Sequence, residues 1–243
     1  MRKKLDKALL IALACGGIGF LLNMAVVLQG YDSQGLPKRG FFPALVLPFF
    51  AVAAALVPVF FFGKGKPTRK YAQLFAPSPL AAGGIGALAL GLVITAVVGF
   101  IGGGKVWLNV LALAAALALI PCALCRLTGR RPVWLCWGVV AVYLIVLLIG
   151  SYSVWCRQAS IHRFLYQLLA GCALMLAAYQ QAAADAGIGS LKEYLILSLM
   201  CVTLCPIAML GSENWLLYGA FLIYHVLNLL SLDLTRRKTP EGE

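Results

Sequence analysis

Acidic side chains are scarce: eight aspartates and glutamates stand in 243 residues, against twenty lysines and arginines. Histidine is scarcer still, at positions 162 and 225 alone. With so few, no His-Glu-x-x-His spacing for a catalytic zinc exists, and neither paired carboxylates nor a Ser-His-Asp arrangement is legible. Ion-coupled carriers usually carry a carboxylate at mid-membrane depth. Asp185 lies two residues before Gly187, near the end of its apolar run, so a proton or sodium relay through acids is disfavoured. The nearest approach to a phosphate-binding loop, Gly99 to Lys105, is followed by Val106 where Ser or Thr must meet magnesium, and no strand precedes it. That excludes ATP hydrolysis by this chain alone. A pairing of Ser198 with His225 fails as an intramembrane protease because glycines do not flank the serine. Cysteines are present, but seven of the eight lie within apolar runs, where a free thiol packs as a small hydrophobe. Cys122 and Cys125 have metal or redox spacing without a second pair or a histidine nearby, so neither a metal nor a cofactor is expected.

Hydrophobic length is what the chain has in abundance. It is 62% hydrophobic and 12% charged, with a mean hydropathy of +0.93; a soluble domain is about 25% charged. Eight runs long enough to span a bilayer occupy 8–29, 41–63, 80–104, 106–128, 134–152, 164–187, 195–212 and 216–234. They are continuously apolar, without the polar/apolar alternation of a barrel strand. The expectation is an all-α polytopic membrane helix bundle, one integral membrane domain over 1–243 with about eight transmembrane helices. The basic start and Cys15 faintly suggest a lipoprotein signal, but the apolar run before Cys15 is too short, so the first helix reads as uncleaved.

The net charge of +12 is explained by where the bases fall. With the N-terminus in the cytoplasm, fifteen lie inside and five outside (Lys38, Arg39, Lys105, Arg157 and Arg163). That asymmetry fits an even helix count with both ends cytoplasmic. The basic balance therefore points to lipid headgroups and away from nucleic acid.

Three constellations stand out. In the third helix Gly83, Ala87, Gly91, Thr95, Gly99 and Gly103 recur every four residues. Such a stripe lets a neighbouring backbone approach closely, and predicts a centrally packed third helix. Polar groups at membrane depth concentrate on the sixth and eighth helices. His225, Asn228 and Tyr218 on the eighth, facing Gln181 and Tyr179 on the sixth, form a candidate ligand site. Asn23 and Asn109 stand alone and read as interhelical glue. Arg157, His162 and Arg163 form a candidate anion-attracting vestibule in the outer joint between the fifth and sixth helices.

Ser151 to Arg157 leads into Phe164 to Ala170, followed by Leu176 to Tyr179 and Leu216 to His225; with Tyr31 to Leu36 these segments carry a likeness that extends over about half the chain. In them the chain resembles a group of small multi-pass membrane proteins from clostridia-type bacteria. The resemblance implies a bacterial cytoplasmic-membrane protein and brings no activity or binding residues with it. The function expected is small-solute binding or transport through the bundle. The alternative is a non-catalytic subunit or regulator of a larger membrane complex, and a membrane enzyme comes last; the partners expected are the lipid bilayer, a small-molecule ligand, and a membrane protein or a second copy of the chain.

Overall fold

A computed structural model describes residues 2–30, 38, 40–63, 77–130, 133–155, 164–210 and 212–232. In hydrocarbon every backbone N–H and C=O must be satisfied within its own segment, so continuous apolar runs become helices. Among the described residues eight form: α1 (Arg2–Gln29), α2 (Phe42–Phe62), α3 (Pro79–Ile101), α4 (Val106–Thr128), α5 (Trp134–Trp155), α6 (Leu165–Asp185), α7 (Leu191–Met209) and α8 (Trp215–Ser231). Six of them, α1 to α5 and α7, are long and apolar enough to cross a membrane. The chain is a multi-pass membrane protein. The other two helices are α6, which carries three glutamines and an aspartate, and α8, which has 17 residues.

Helix ends follow local chemistry. α1 begins at Arg2, six residues before its apolar run, because Arg2 and Asp6 pair at 3.0 Å one turn apart. Arg2 Nη1 also donates to the carbonyl of Leu232 at 2.8 Å, so the start of α1 meets the end of α8. α3 stops at Ile101, short of the 104 expected, because Gly103 takes φ +70° and turns the chain into α4. Ser78 caps α3, its Oγ accepting from the amide of Ala81, and Pro79 follows in the first turn, where its missing N–H costs nothing. Pro48, Pro58, Pro121 and Pro206 all lie inside continuous helices.

Helices α3 to α8 close into a ring. Each packs on its chain neighbours, and α8 returns to pack on α3. Because consecutive helices run in opposite directions, the ring has two distinct ends. One gathers the α3–α4 and α7–α8 turns with the end of α5 and the start of α6. The other gathers the α6–α7 turn with the start of α3 and the end of α8. The interior is filled by Leu88, Leu92, Leu119, Trp137, Leu174 and Phe221 from five of the six helices, with α7 adding Cys201 and Cys205. α1 and α2 pack on each other and against α7, outside the ring. Asn23 Nδ2 ties α1 to α7 through the carbonyl of Ile207 at 2.7 Å.

The centrally packed helix is α7, not α3. α7 touches α1, α2, α6 and α8, and 67% of its span is buried, against at most 33% for the other apolar spans. α3 packs chiefly on α4 and α8, and turns Leu90, Val93, Ile94 and Val97 outward. The four-residue stripe explains the difference. Each step of four rotates about 40° around a helix of 3.6 residues per turn, so the stripe cannot keep to one partner. Gly83 faces open space; Gly91 lies on α8, where an added Cβ would sit 2.3 Å from that of Ala220; Gly99 meets the side chain of Asn109 on α4. Thr95 turns its hydroxyl back to the carbonyl of Gly91 at 2.8 Å. Gly84, outside the stripe, also meets α8.

Candidate functional site: a polar cavity at one end of the helix ring

The end of the ring that gathers the α3–α4 and α7–α8 turns opens into a cavity of about 660 Å³. That volume lies within the roughly 300–1,000 Å³ typical of small-molecule sites. Every ring helix except α7 contributes to its wall, and the α7–α8 turn supplies Glu213 and Asn214. The glycines at 99, 102 and 104 carry no side chains, which leaves room where α3 turns into α4.

The lining chemistry is specific. Amides come from Asn109 on α4, Gln167 on α6 and Asn214. Hydroxyls come from Thr95, Ser151 and the phenol of Tyr143, which is 1% exposed. Trp107, Phe164 and Trp215 supply aromatic surface, and Leu108 and Leu147 apolar surface. Among the described lining residues only Lys105 and Glu213 carry charge, and both stand at helix ends in the turns, where Lys105 lies 6.0 Å from the ring centre of Trp107. Asn109 is 93% buried by its 7% exposure, and its Nδ2 finds no acceptor among the described protein atoms. A buried donor without an acceptor costs about 1–3 kcal/mol. Tyr218 braces the wall behind Gln167 by donating to its backbone carbonyl at 3.2 Å.

The opposite end of the ring is closed by a polar network. Asn228 Nδ2 donates to the hydroxyls of Tyr194 and of Tyr224, the latter at 3.1 Å. Tyr224 donates to Gln181 Oε1 at 3.5 Å, and Gln181 Nε2 to Asp185 Oδ1 at 3.4 Å. Trp137 packs on Tyr224 with ring centres 5.0 Å apart. Arg126, near the end of the 106–128 run and counted by sequence among the cytoplasmic-side bases, is buried in α4, within electrostatic reach of Asp185, Tyr194 and Tyr224. Lys192 Nζ reaches the carbonyl of Gly63 and joins α7 to α2 at this end.

The sequence-based ligand cluster is thus divided. Gln181 and Asn228 belong to the closing network. His225 is buried beside it, stacked on Phe221 at 6.3 Å and tilted against Tyr224 at 4.9 Å, with Nδ1 lacking a partner in the described protein. None of the three lines the cavity. Tyr218 lies behind the cavity wall, among residues lining a small neighbouring crevice. Tyr179 is 59% exposed on the outer surface of α6, because it falls on the face opposite the buried Ala177, Ala178 and Gln181. Arg157, His162 and Arg163 lie outside the described residues, in the connection that joins the cavity-end termini of α5 and α6. Among the described residues no three His, Cys, Asp or Glu side chains converge as a metal site would require.

Sequence reasoning passed over Asn109 and Gln167, Asn109 being read as glue. A signal was present: each lies one turn inside the helix end that faces the cavity, and Thr95 and Ser151 lie near the same end of α3 and α5. Adding polar residues across helices at equal depth, instead of along single helices, finds this layer. No protein-family model, curated protein or solved structure matches the chain.

Proposed function

We propose that this chain is a bacterial cytoplasmic-membrane protein of eight transmembrane helices, both termini in the cytoplasm, that binds or passes a small solute through its six-helix ring. The supporting observation is the cavity of about 660 Å³ with amides and hydroxyls set in a largely apolar wall, among them the buried and unpartnered Asn109 Nδ2. A hollow of that size with polar groups in its wall, inside an apolar bundle, costs packing and desolvation. A solute that accepts from Asn109 and fills the hollow offsets both. The orientation rests on charge: Arg2, Arg126 and Lys192 lie at helix ends on the closed side, while Lys38 and Lys105 lie in connections on the open side. The closed end then faces the cytoplasm and the cavity faces outward. Passage through the ring requires the Tyr194–Asn228–Tyr224–Gln181 network to part; binding alone does not.

Native mass spectrometry of protein released gently from its own membrane tests this reading. The expected result is a discrete small-mass adduct on wild type that persists in His225→Ala and disappears in Asn109→Leu while that variant stays folded. A bare chain, with a second protein at fixed stoichiometry in its place, would support the subunit reading and remove this one.

A further inference from the structure

We infer that the cavity admits uncharged, hydrogen-bonding solutes that present an acceptor oxygen or nitrogen, and rejects ions of either sign. This rests on the reading of the cavity as a solute site and adds to it the chemical class of the solute.

The argument is electrostatic. Below the turns that carry Lys105 and Glu213, no acid, lysine, arginine or histidine is found among the described lining residues. An ion carried to the level of Thr95 and Tyr143 would leave its hydration shell and meet no counter-charge. Burying a lone charge costs far more than burying a hydrogen-bonded neutral group. Amides and hydroxyls replace water well for a neutral polar molecule, since each both donates and accepts. Asn109 sets the polarity of one contact: its Nδ2 can only donate, so the solute must accept there. Leu108, Leu147 and Phe164 give the solute's carbon skeleton an apolar surface to cover. Among the described lining residues at the mouth, Lys105 and Glu213 bear opposite charges.

Three thiol reagents of matched size and different charge read this selectivity directly. The 2-hydroxyethyl, 2-(trimethylammonium)ethyl and 2-sulfonatoethyl methanethiosulfonates are applied to full-length protein carrying Thr95→Cys, Asn109→Cys or, as reference at the mouth, Trp215→Cys. Modification is followed peptide by peptide by mass, so the native cysteines stay in place. Ionisation of the introduced thiol affects all three reagents alike and cancels in the ratio. Normalised to position 215, both charged reagents should react at least about tenfold more slowly than the neutral one at positions 95 and 109. Equal normalised rates would overturn the inference and leave the cavity standing. Failure of all three reagents at 95 and 109, with normal reaction at 215, would mean that the hollow is not accessible, and the proposed function would fall with it. The two deep positions lie on different helices, so a folding defect in one variant leaves the other as the test.

Discussion

The two ends of the six-helix ring are built from similar side chains and do opposite things. Both carry amides and tyrosine hydroxyls inside an apolar bundle. At the closed end they bond to one another: Asn228 holds Tyr194 and Tyr224, Tyr224 holds Gln181, and Gln181 holds Asp185. At the open end Asn109, Gln167 and Asn214 come from three different elements and stand around a hollow. Glycine accounts for much of the difference. The open end has glycines at 99, 102, 104 and 150 in its wall, whereas bulky Trp137, Tyr194 and Tyr224 are buried at the closed end. Whether polar residues in a membrane bundle act as glue or as a site is therefore decided by the volume around them.

Substitutions at the two ends should separate sharply in stability. The largest effect is expected for Arg126→Leu, which removes a buried cation within electrostatic reach of Asp185, Tyr194 and Tyr224 and should cost about 2–3 kcal/mol. Adding Asp185→Asn should restore part of that loss, as read from thermal unfolding in detergent; an additive double mutant would show that the two groups do not interact. Gly91→Leu strikes the ring itself, since even a Cβ there meets Ala220 at 2.3 Å. It should cost about 1–3 kcal/mol by forcing α3 from α8, while Gly83→Leu, facing open space, should behave as wild type on size exclusion. Asn228→Leu removes two buried donations at once and should cost about 1–3 kcal/mol. The smallest effect belongs to the open end. Asn109→Leu, similar in shape and without a partner to lose, should change stability by less than about 1 kcal/mol. A large loss there would make Asn109 a structural residue and erase the contrast between the ends.

Much of the helix layout is legible in the sequence, because span length and continuous apolarity are local properties. The runs at 41–63 and 106–128 match α2 and α4 to within a residue at either end. The errors at helix ends have local causes too, such as the left-handed Gly103 that shortens α3 and the polar first turn, Lys192 and Glu193, that starts α7 early. Which helix sits at the centre was not legible. The four-residue stripe on α3 is conspicuous, but its 40° drift spreads it over solvent-facing, α8-facing and α4-facing directions, whereas α7 owes its central place to neighbours distant in the chain. The sequence-based cluster and the cavity residues differ for a related reason. His225 and Asn228 share a helix face and so look like a cluster, while Asn109 and Gln167 are 58 positions apart and meet only when the ring closes. Burial of His225 reflects packing on Phe221 and Tyr224, a contact that helical spacing alone does not tell from exposure to a cavity.

Sidedness of the two ends tests the central claim most directly. Cysteines are placed at Glu213, at the mouth of the cavity, and at Lys192, at the closed end, and intact bacterial cells expressing each variant are treated with a membrane-impermeant maleimide. The cysteine at 213 should be labelled on intact cells and that at 192 only after permeabilisation, placing the cavity on the outer face. Labelling of 192 on intact cells with 213 protected would turn the ring over and contradict an outward-facing solute site.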